Sequence, residues 1–188
     1  MARTFWAPLL ITTAAFAASA SAHEPVVVPA GEGRSVAVPF HETRLLLSET
    51  GSEGGASIYE FVVPPRSGGA PPHEHTHEDE YAYVLDGTLT LLLGDRTVEA
   101  GPGTLAALTR GTVHAFWNAS DEQVRTLFFV SRGGFEHFFD AVAVSLREQP
   151  PATAEEANAR VGAIAAEHGI AIRPELIPES VRDLYEPG

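Results

Sequence analysis

The chain has 188 residues, a formal net charge of −13 and 44% apolar residues, which suits one domain with a packed core. An acidic protein is repelled by nucleic acid and by anionic membrane surfaces, so we expect neither as a partner. All twelve basic residues are Arg, and the chain has no Lys and no Cys, which excludes Schiff-base and thiol chemistry. A small molecule is therefore the expected partner.

Residues 1–22 have the features of a secretory signal peptide. Arg3 supplies the positive end, an apolar run extends from Phe5 to Ala18, and Ala20-Ser21-Ala22 has the form of a cleavage site. The apolar run is shorter than the roughly 20 residues that span a bilayer. We therefore expect export to the periplasm or the cell exterior, with no membrane attachment after cleavage.

Short strands with turn residues between them follow the signal peptide. Residues 23–40 form a proline-flanked leader that can supply an edge strand, and a Gly/Pro-rich loop covers residues 64–72. The predicted strands cover residues 43–47, 57–63, 81–85, 88–93, 96–100, 104–108, 113–118 and 124–130. Asp86-Gly87 predicts a hairpin between the third and fourth of these strands. The pattern predicts an all-β sandwich or barrel over residues 41–132.

The pattern changes to helical in residues 133–188. Phe135, Phe138, Phe139 and Val142 share one face of a predicted helix. A second helix begins at a capping box of Thr153 and Glu156, has an apolar face and ends at Gly169; that face contains Ala157, Val161, Ile164, Ala165 and His168. These helices form a short C-terminal appendage, which either packs on the outer sheet of the barrel or covers its mouth.

The most informative cluster is His73-Glu-His75, followed by Glu80 and later by His114. Residues two apart on a strand point to the same side, so His73 and His75 can approach one metal ion, and Glu80 lies on the next strand segment. Imidazole and carboxylate ligands suit one divalent transition metal ion, and we leave Cu, Fe, Mn, Ni, Co and Zn open. Three His and one Glu leave coordination positions free, as in a catalytic site.

The same residues resemble the two motifs of the cupin superfamily. From His73 to Gly87 the chain follows the order His-x-His, four residues, Glu, six residues, Gly. The second motif extends from Gly103 to Asn118 and contains His114, with Thr109 where the family usually has Pro. The resemblance implies a cupin jelly-roll barrel that holds a metal ion with His73, His75, Glu80 and His114. It also implies a homodimer, in which the leader is the candidate segment for exchange between subunits.

The other polar residues near the motif are not expected to bind the metal ion. His77 is expected beside the ligands at the rim of the site, and Glu74, Glu78 and Asp79 are expected to be solvated acids. The other histidines are expected on the surface or satisfied in the core; they are His23, His41, His137 and His168. Some aromatic residues on neighbouring strands are expected to line a cavity; the candidates are Tyr81, Tyr83, Phe116, Trp117 and Phe128. Phe116 and Trp117 cannot both face inward, because they are adjacent on a strand.

Three function classes follow from this site. The segment from Gly134 to Phe139, followed by prolines and a helix, resembles single-domain quercetin dioxygenase-like cupins. That resemblance implies a dioxygenase in which a flavonol-like hydroxyl binds the metal, Glu80 acts as ligand and general base, and O2 cleaves the substrate. A metal-dependent isomerase or lyase on a sugar or keto acid is the first alternative, with Arg66, Arg110 or Arg125 available for a charged substrate. A non-enzymatic small-molecule or metal-binding cupin is the second.

Overall fold

The computed structural model describes residues 24–37, 41–51, 53–131 and 133–185. Two antiparallel sheets form its core. The first sheet has the strand order β1 (Arg34–Val36), β2 (Glu42–Leu47), β3 (Ser57–Val63), β11 (Val124–Val130), β6 (Glu80–Asp86) and β9 (Leu105–Leu108). The second has the order β12 (Ile170–Ile172), β5 (His73–His75), β10 (His114–Asn118), β7 (Leu89–Leu93) and β8 (Arg96–Ala100), with β4 (Ser67–Gly68) paired to β10. The predicted all-β jelly-roll barrel with C-terminal helices is confirmed.

The core lies between the two sheets because alternate residues of each strand face inward. On β3, Tyr59 and Phe61 are buried, and on β11 Phe128 is buried. Phe61 stacks on Phe128 of its own sheet at 4.4 Å and on Phe116 of the opposite sheet at 5.9 Å between ring centroids. These aromatic residues hold the two sheets together directly below the predicted ligands.

The predicted hairpin at Asp86-Gly87 is wrong. Strand β6 belongs to the first sheet and β7 to the second, so this connection crosses between sheets. Gly87 has a φ of 75° and passes so close to β11 that a Cβ would lie 2.7 Å from the carbonyl oxygen of Gln123. Asp-Gly supplies a positive φ, and a crossover turn needs this as much as a hairpin does. A two-residue hairpin does join β7 to β8, where Leu93 pairs with Arg96.

Two short strands were missed by the sequence pattern. Strand β4 lies inside the predicted loop of residues 64–72, and β12 lies in the C-terminal appendage. Strand β12 begins directly after Gly169 and pairs with the strand that bears two of the predicted ligands, with Ile170 opposite His75 and Ile172 opposite His73. Strands of two or three residues carry too little alternation to be recognised from sequence.

The two predicted helices are present as α1 (Phe135–Glu148) and α2 (Ala154–Glu167). At the start of α2, the Thr153 side chain accepts a hydrogen bond from the Glu156 N–H, while the Glu156 carboxylate accepts one from Ala152 N–H. Three short 3-10 helices cover Glu49–Gly51, Pro174–Leu176 and Glu179–Tyr185. In the ranges the structure describes, no helix combines the length and the apolar character needed to cross a bilayer.

Helix α1 faces the interior of the barrel. Phe135 and Phe139 pack edge-on against Tyr59, at 5.8 and 5.6 Å between ring centroids, and Tyr59 points between the sheets. The Phe-rich face therefore covers an open end of the barrel, and the simpler expectation, that it packs on the outer sheet, is wrong. Large aromatic rings bury the greatest apolar area when they pack against other aromatic rings. The barrel interior contains such rings, including that of Tyr59.

The outer face of β10 is covered by a different segment. Phe116 points into the core, whereas Trp117 points outward and is still buried, because the helix Glu179–Tyr185 packs over it through Val181, Leu184 and Tyr185. The expected alternation of Phe116 and Trp117 is thus present, and both side chains are covered.

Candidate metal centre

Three strands bring the four predicted ligands together. His73 and His75 lie at the two ends of β5, His114 begins β10 in the same sheet, and Glu80 begins β6 in the opposite sheet. His114 is the register partner of His73. All four side chains are buried. The cluster therefore sits between the sheets, with its histidines on one sheet and its carboxylate on the other.

The side chains converge on a small volume. One potential ligand atom from each residue lies within 4.8 Å of those from the other three. The two carboxylate oxygens of Glu80 lie 3.6 Å from His75 Nε2 and 3.3 Å from His114 Nε2. The His73 ring lies 4.3 Å from the His114 ring and 5.0 Å from the His75 ring, between centroids.

The Nδ1 atom of each histidine in the cluster lies against a hydrogen-bond acceptor. His73 Nδ1 lies 2.8 Å from the Pro71 carbonyl oxygen, and His114 Nδ1 lies 2.9 Å from that of Thr112. His75 Nδ1 lies 3.1 Å from a carboxylate oxygen of Glu78. Because a carbonyl or an ionised carboxylate can only accept, each Nδ1 carries the proton and each Nε2 keeps its lone pair. This is the tautomer that a metal ligand needs.

The unpaired nitrogens test whether these residues fit a metal ion. Among the described residues, Nε2 of His75 and Nε2 of His114 are buried with no hydrogen-bond partner. A buried polar atom without a partner costs about 1–3 kcal/mol, and such atoms are uncommon in folded proteins. A divalent transition metal held by three imidazoles and one carboxylate would satisfy both nitrogens, so the arrangement fits this group and does not identify the element.

The pKa values of His73 and Glu80 favour the protonation states that bind a metal ion, which are the neutral imidazole and the ionised carboxylate. Burial and the neighbouring His114 lower the pKa of His73 to about 3, which keeps this imidazole neutral. Burial raises the pKa of Glu80, but the neighbouring imidazoles, that of His114 above all, outweigh it and bring the pKa to about 2. Burial lowers the pKa of His75, but the carboxylates of Glu78 and Glu80 outweigh it, so the net shift is upward.

The structure corrects the expectation for Glu78. This side chain is 1% exposed and accepts the hydrogen bond from His75 Nδ1, so it is not a solvated acid. No sequence pattern separates Glu78 from the other acids, because residues 76–79 lie between β5 and β6 and not on a strand. The other two acids are paired at the surface, Glu74 with Arg173 at 2.8 Å and Asp79 with Arg110 at 2.7 Å.

The remaining histidines separate into different environments. His77 is exposed and lies against Gly169, outside the cluster, as a rim residue would. His137 is exposed on α1, as expected of a surface residue, and His168 is half-buried at the C-cap of α2. His23 lies outside the described residues. His41 differs from the expectation, because its partly buried ring lines the cavity beside the cluster.

A cavity of about 250 Å³ extends from the cluster to the C-terminal helices. His73 and Glu80 lie in its wall, and most of the remaining wall is apolar, with Phe61, Phe116, Phe135, Phe138 and Phe139 as its aromatic residues. Of the predicted aromatic residues, Phe116 and Phe128 face the core, whereas Tyr83 is exposed on the outer face of the first sheet.

None of the three arginines suggested for a charged substrate lines this cavity. Arg66 pairs with Asp121 at 2.8 Å, Arg110 pairs with Asp79, and Arg125 pairs with Glu60 at 2.6 Å. Each arginine is thus engaged by a carboxylate away from the cavity wall, and no described residue of that wall is basic apart from its histidines.

Comparison with protein families gives one match. Residues 59–130 match the family model described as a cupin domain, and this range contains all four residues of the cluster. A search of curated proteins gave no match.

Solved structures share the barrel. A predicted oxalate decarboxylase from Thermotoga maritima is 21% identical over 57% of this chain and 99% of that chain, with a TM-score of 0.53. The polyketide cyclase RemF from Streptomyces resistomycificus is 30% identical over 57% of this chain and 79% of that chain, with a TM-score of 0.49. A proposed sugar phosphate isomerase from Acidithiobacillus ferrooxidans is 22% identical over 49% of this chain, with a TM-score of 0.44, and the match spans only 59% of that protein.

Proposed function

This chain belongs to the cupin superfamily, and on that premise we propose that it is an exported, metal-dependent dioxygenase that cleaves a small, uncharged aromatic or enolic molecule. Membership alone does not select the reaction, because the related structures are named as a decarboxylase, a cyclase and an isomerase. The choice therefore rests on the site of this chain and on the cavity beside it.

The observation that carries the proposal is the composition of the cavity wall. Phenylalanine rings from both sheets and from α1 surround a space that also contains His73 and Glu80. Flat aromatic molecules gain most from such a wall, since ring contacts add to the burial of apolar area. Apart from the metal ion itself, the described cavity wall has no Arg or Lys that would offset the lost hydration of an anionic substrate.

The residues of the cluster have separate roles in this reaction. Glu80 is ionised and would take the proton of a substrate hydroxyl whose acidity a bound metal ion raises, and the resulting oxyanion is electron-rich. A bound metal ion supplies Lewis acidity at that oxygen and a route for electrons between substrate and O2. The phenylalanines of α1 keep bulk water away from the reacting atoms. Both oxygen atoms enter the product, so the reaction needs no external reductant.

The isomerase or lyase alternative fits this cavity less well. A sugar phosphate or keto acid carries an anionic group, and such groups are normally held by Arg or Lys. The arginines suggested for that role are paired with carboxylates elsewhere. A binding protein that performs no chemistry has the same cavity requirements as the dioxygenase, so only turnover separates those two.

The test combines metal analysis with oxygen uptake. The mature protein is purified from its native compartment, its metal content is measured, and flavonols and catechols are offered under air. About one equivalent of a redox-active transition metal and consumption of one O2 per substrate are expected, and Glu80→Gln should abolish the uptake. Metal without oxygen uptake would move the assignment to an isomerase, a lyase or a binding protein. Absence of metal from the native protein would refute the assignment of the site.

The proposal of export rests on residues 1–22, which lie outside the described part of the chain. We expect the protein recovered from the periplasm or the culture medium to begin at His23. Amino-terminal sequencing of the fractionated protein tests this, and recovery of the intact chain in the cytoplasm would contradict it.

A further inference from the structure

His41 is the one histidine among the described residues of the cavity wall that belongs to neither the cupin motifs nor the metal cluster. It lies directly before β2, in the sheet opposite the histidine ligands. Its ring packs against Phe61 at 4.6 Å and Phe116 at 5.5 Å between centroids, so two core aromatics fix its plane. It lines the same cavity as His73 and Glu80. A ligand that reaches the cluster therefore also passes within reach of this imidazole.

The two nitrogens of His41 have different surroundings. Nδ1 lies 3.0 Å from the Thr43 hydroxyl oxygen and 3.4 Å from the Glu42 carbonyl oxygen. The carbonyl can only accept and the hydroxyl can accept as well as donate, so a proton on Nδ1 satisfies both contacts. Within the described residues, no hydrogen bond or ion pair is found at Nε2. That nitrogen thus retains a lone pair and lacks a protein partner on the ring edge away from Thr43.

The protonation state agrees with this geometry. Burial lowers the pKa of His41 to about 4, so the ring is neutral near pH 7 and can accept a hydrogen bond. Thr43, which holds Nδ1, is 1% exposed. A neutral acceptor in an apolar wall discriminates between ligands, because a ligand without a matching O–H leaves the nitrogen unpaired on binding.

We infer that His41 is a substrate-binding residue whose Nε2 accepts a hydrogen bond from a second hydroxyl of an uncharged aromatic substrate, while a first hydroxyl reaches Glu80 and the metal position. This inference rests on the proposed function for its substrate class. It goes beyond that function in requiring two hydroxyl groups and in assigning the recognition of the second one to a named residue outside the motifs.

The test measures binding to the zinc-loaded protein, because zinc has no redox chemistry and turnover cannot interfere. The probes are phenol and the three dihydroxybenzenes (catechol, resorcinol and hydroquinone), titrated by calorimetry. We expect at least one dihydroxybenzene to bind the unmodified protein about tenfold more tightly than phenol, as one additional hydrogen bond predicts. His41→Phe keeps a ring in the wall and removes the acceptor, so this preference should fall to nearly one while phenol affinity stays the same.

Two further variants make the result interpretable. His41→Gln places an amide oxygen near the position of Nε2 and should retain part of the preference, and it also serves if His41→Phe folds poorly. His137→Phe changes an exposed histidine of α1 and should change nothing. An unchanged preference in His41→Phe, or no preference in the unmodified protein, would overturn the inference. A preference that depends on His41 in a protein that consumes no oxygen would keep the inference and refute the dioxygenase.

Discussion

The four residues of the cluster differ in what each contributes to metal binding, and substitutions can separate them. His114 Nε2 is buried without a protein partner, 3.3 Å from Glu80, whereas His77 is exposed on the rim. We expect His114→Ala to lose most of the bound metal and His77→Ala to retain it. Elemental analysis of both purified variants gives the answer, and equal metal contents would show that the ligand set is wrong.

Glu78 would influence a bound metal ion through His75. Its carboxylate accepts the His75 Nδ1 hydrogen bond and fixes the ring orientation. Loss of such a partner typically lowers metal affinity about 10–100-fold, and we expect a change of that size for Glu78→Ala in a competition titration with a chelator. Glu74→Ala is the matched control, since this acid lies on the same segment and pairs with Arg173. A larger effect in the control would contradict the assigned role of Glu78.

His41 also links stability to pH. Its pKa is about 4 in the folded protein against an ordinary value of 6.5, so between these values the unfolded chain binds more protons. Its contribution to stability is complete above pH 6.5 and decreases as the pH falls towards 4. Between pH 7 and pH 5, the stability lost by His41→Phe should therefore be about 2 kcal/mol smaller than the stability lost by the unmodified protein. Urea unfolding at both pH values measures this, with His137→Phe as control, and identical pH dependence in all three proteins would exclude it.

Residue spacing predicted the four residues that converge in the cluster, but not the residues around them. His73, His75, Glu80 and His114 were recognisable because metal ligands require fixed residue types at fixed distances along adjacent strands. Glu78 stands among several acids, and only its burial distinguishes it. His41 lines the cavity from the sheet opposite the histidines of the cluster. A local sequence pattern does not predict a contact between residues so far apart in the chain.

At the scale of elements, the connection between the sheets at Gly87 is a tightly constrained turn. Gly87 has a positive φ of 75° and Gly94 has one of 63°, but of these two glycines only Gly87 has backbone close to the position of a Cβ. We expect Gly87→Ala to destabilise the protein by about 3 kcal/mol or more, and Gly94→Ala by about 1 kcal/mol, the cost of the left-handed conformation alone. Chemical denaturation of both variants tests this. Similar losses would show that the close contact with Gln123 is easily relieved.

Alternation within strands was predictable, whereas the assignment of strands to sheets was not. Strands β3, β8 and β11 were found at their predicted bounds, because each has five or more residues with clear patterning. The turn at Asp86-Gly87 has the composition of a hairpin, and composition does not distinguish a hairpin from a crossover. The position of α1 over the barrel opening depends on where aromatic rings meet, which is a tertiary property.

For the whole molecule, the outer face of the first sheet is a candidate dimer interface. Tyr83 and Leu105 are directly opposite each other on β6 and β9 and are 38% and 61% exposed, and Leu85 is 37% exposed. Apolar groups concentrated on one sheet face favour association. We propose a homodimer through this face, and we expect the double variant Tyr83→Glu and Leu105→Glu to have half the mass of the unmodified protein in light scattering. Leu176→Glu, at an exposed site on a C-terminal helix, should stay dimeric, and a monomeric unmodified protein would refute the proposal.

The pairing of β12 with β5 has a consequence for how this site can be inherited. The cupin match ends at residue 130, yet the strand that bears His73 and His75 is bordered on one side by residues 170–172. Its other neighbour, β10, pairs with it only between His114 and His73. A recombination event that transferred residues 59–130 to another gene would carry all four ligands but leave behind the strand that holds His75 in place. In this lineage the metal chemistry and the C-terminal tail are therefore expected to evolve as one unit.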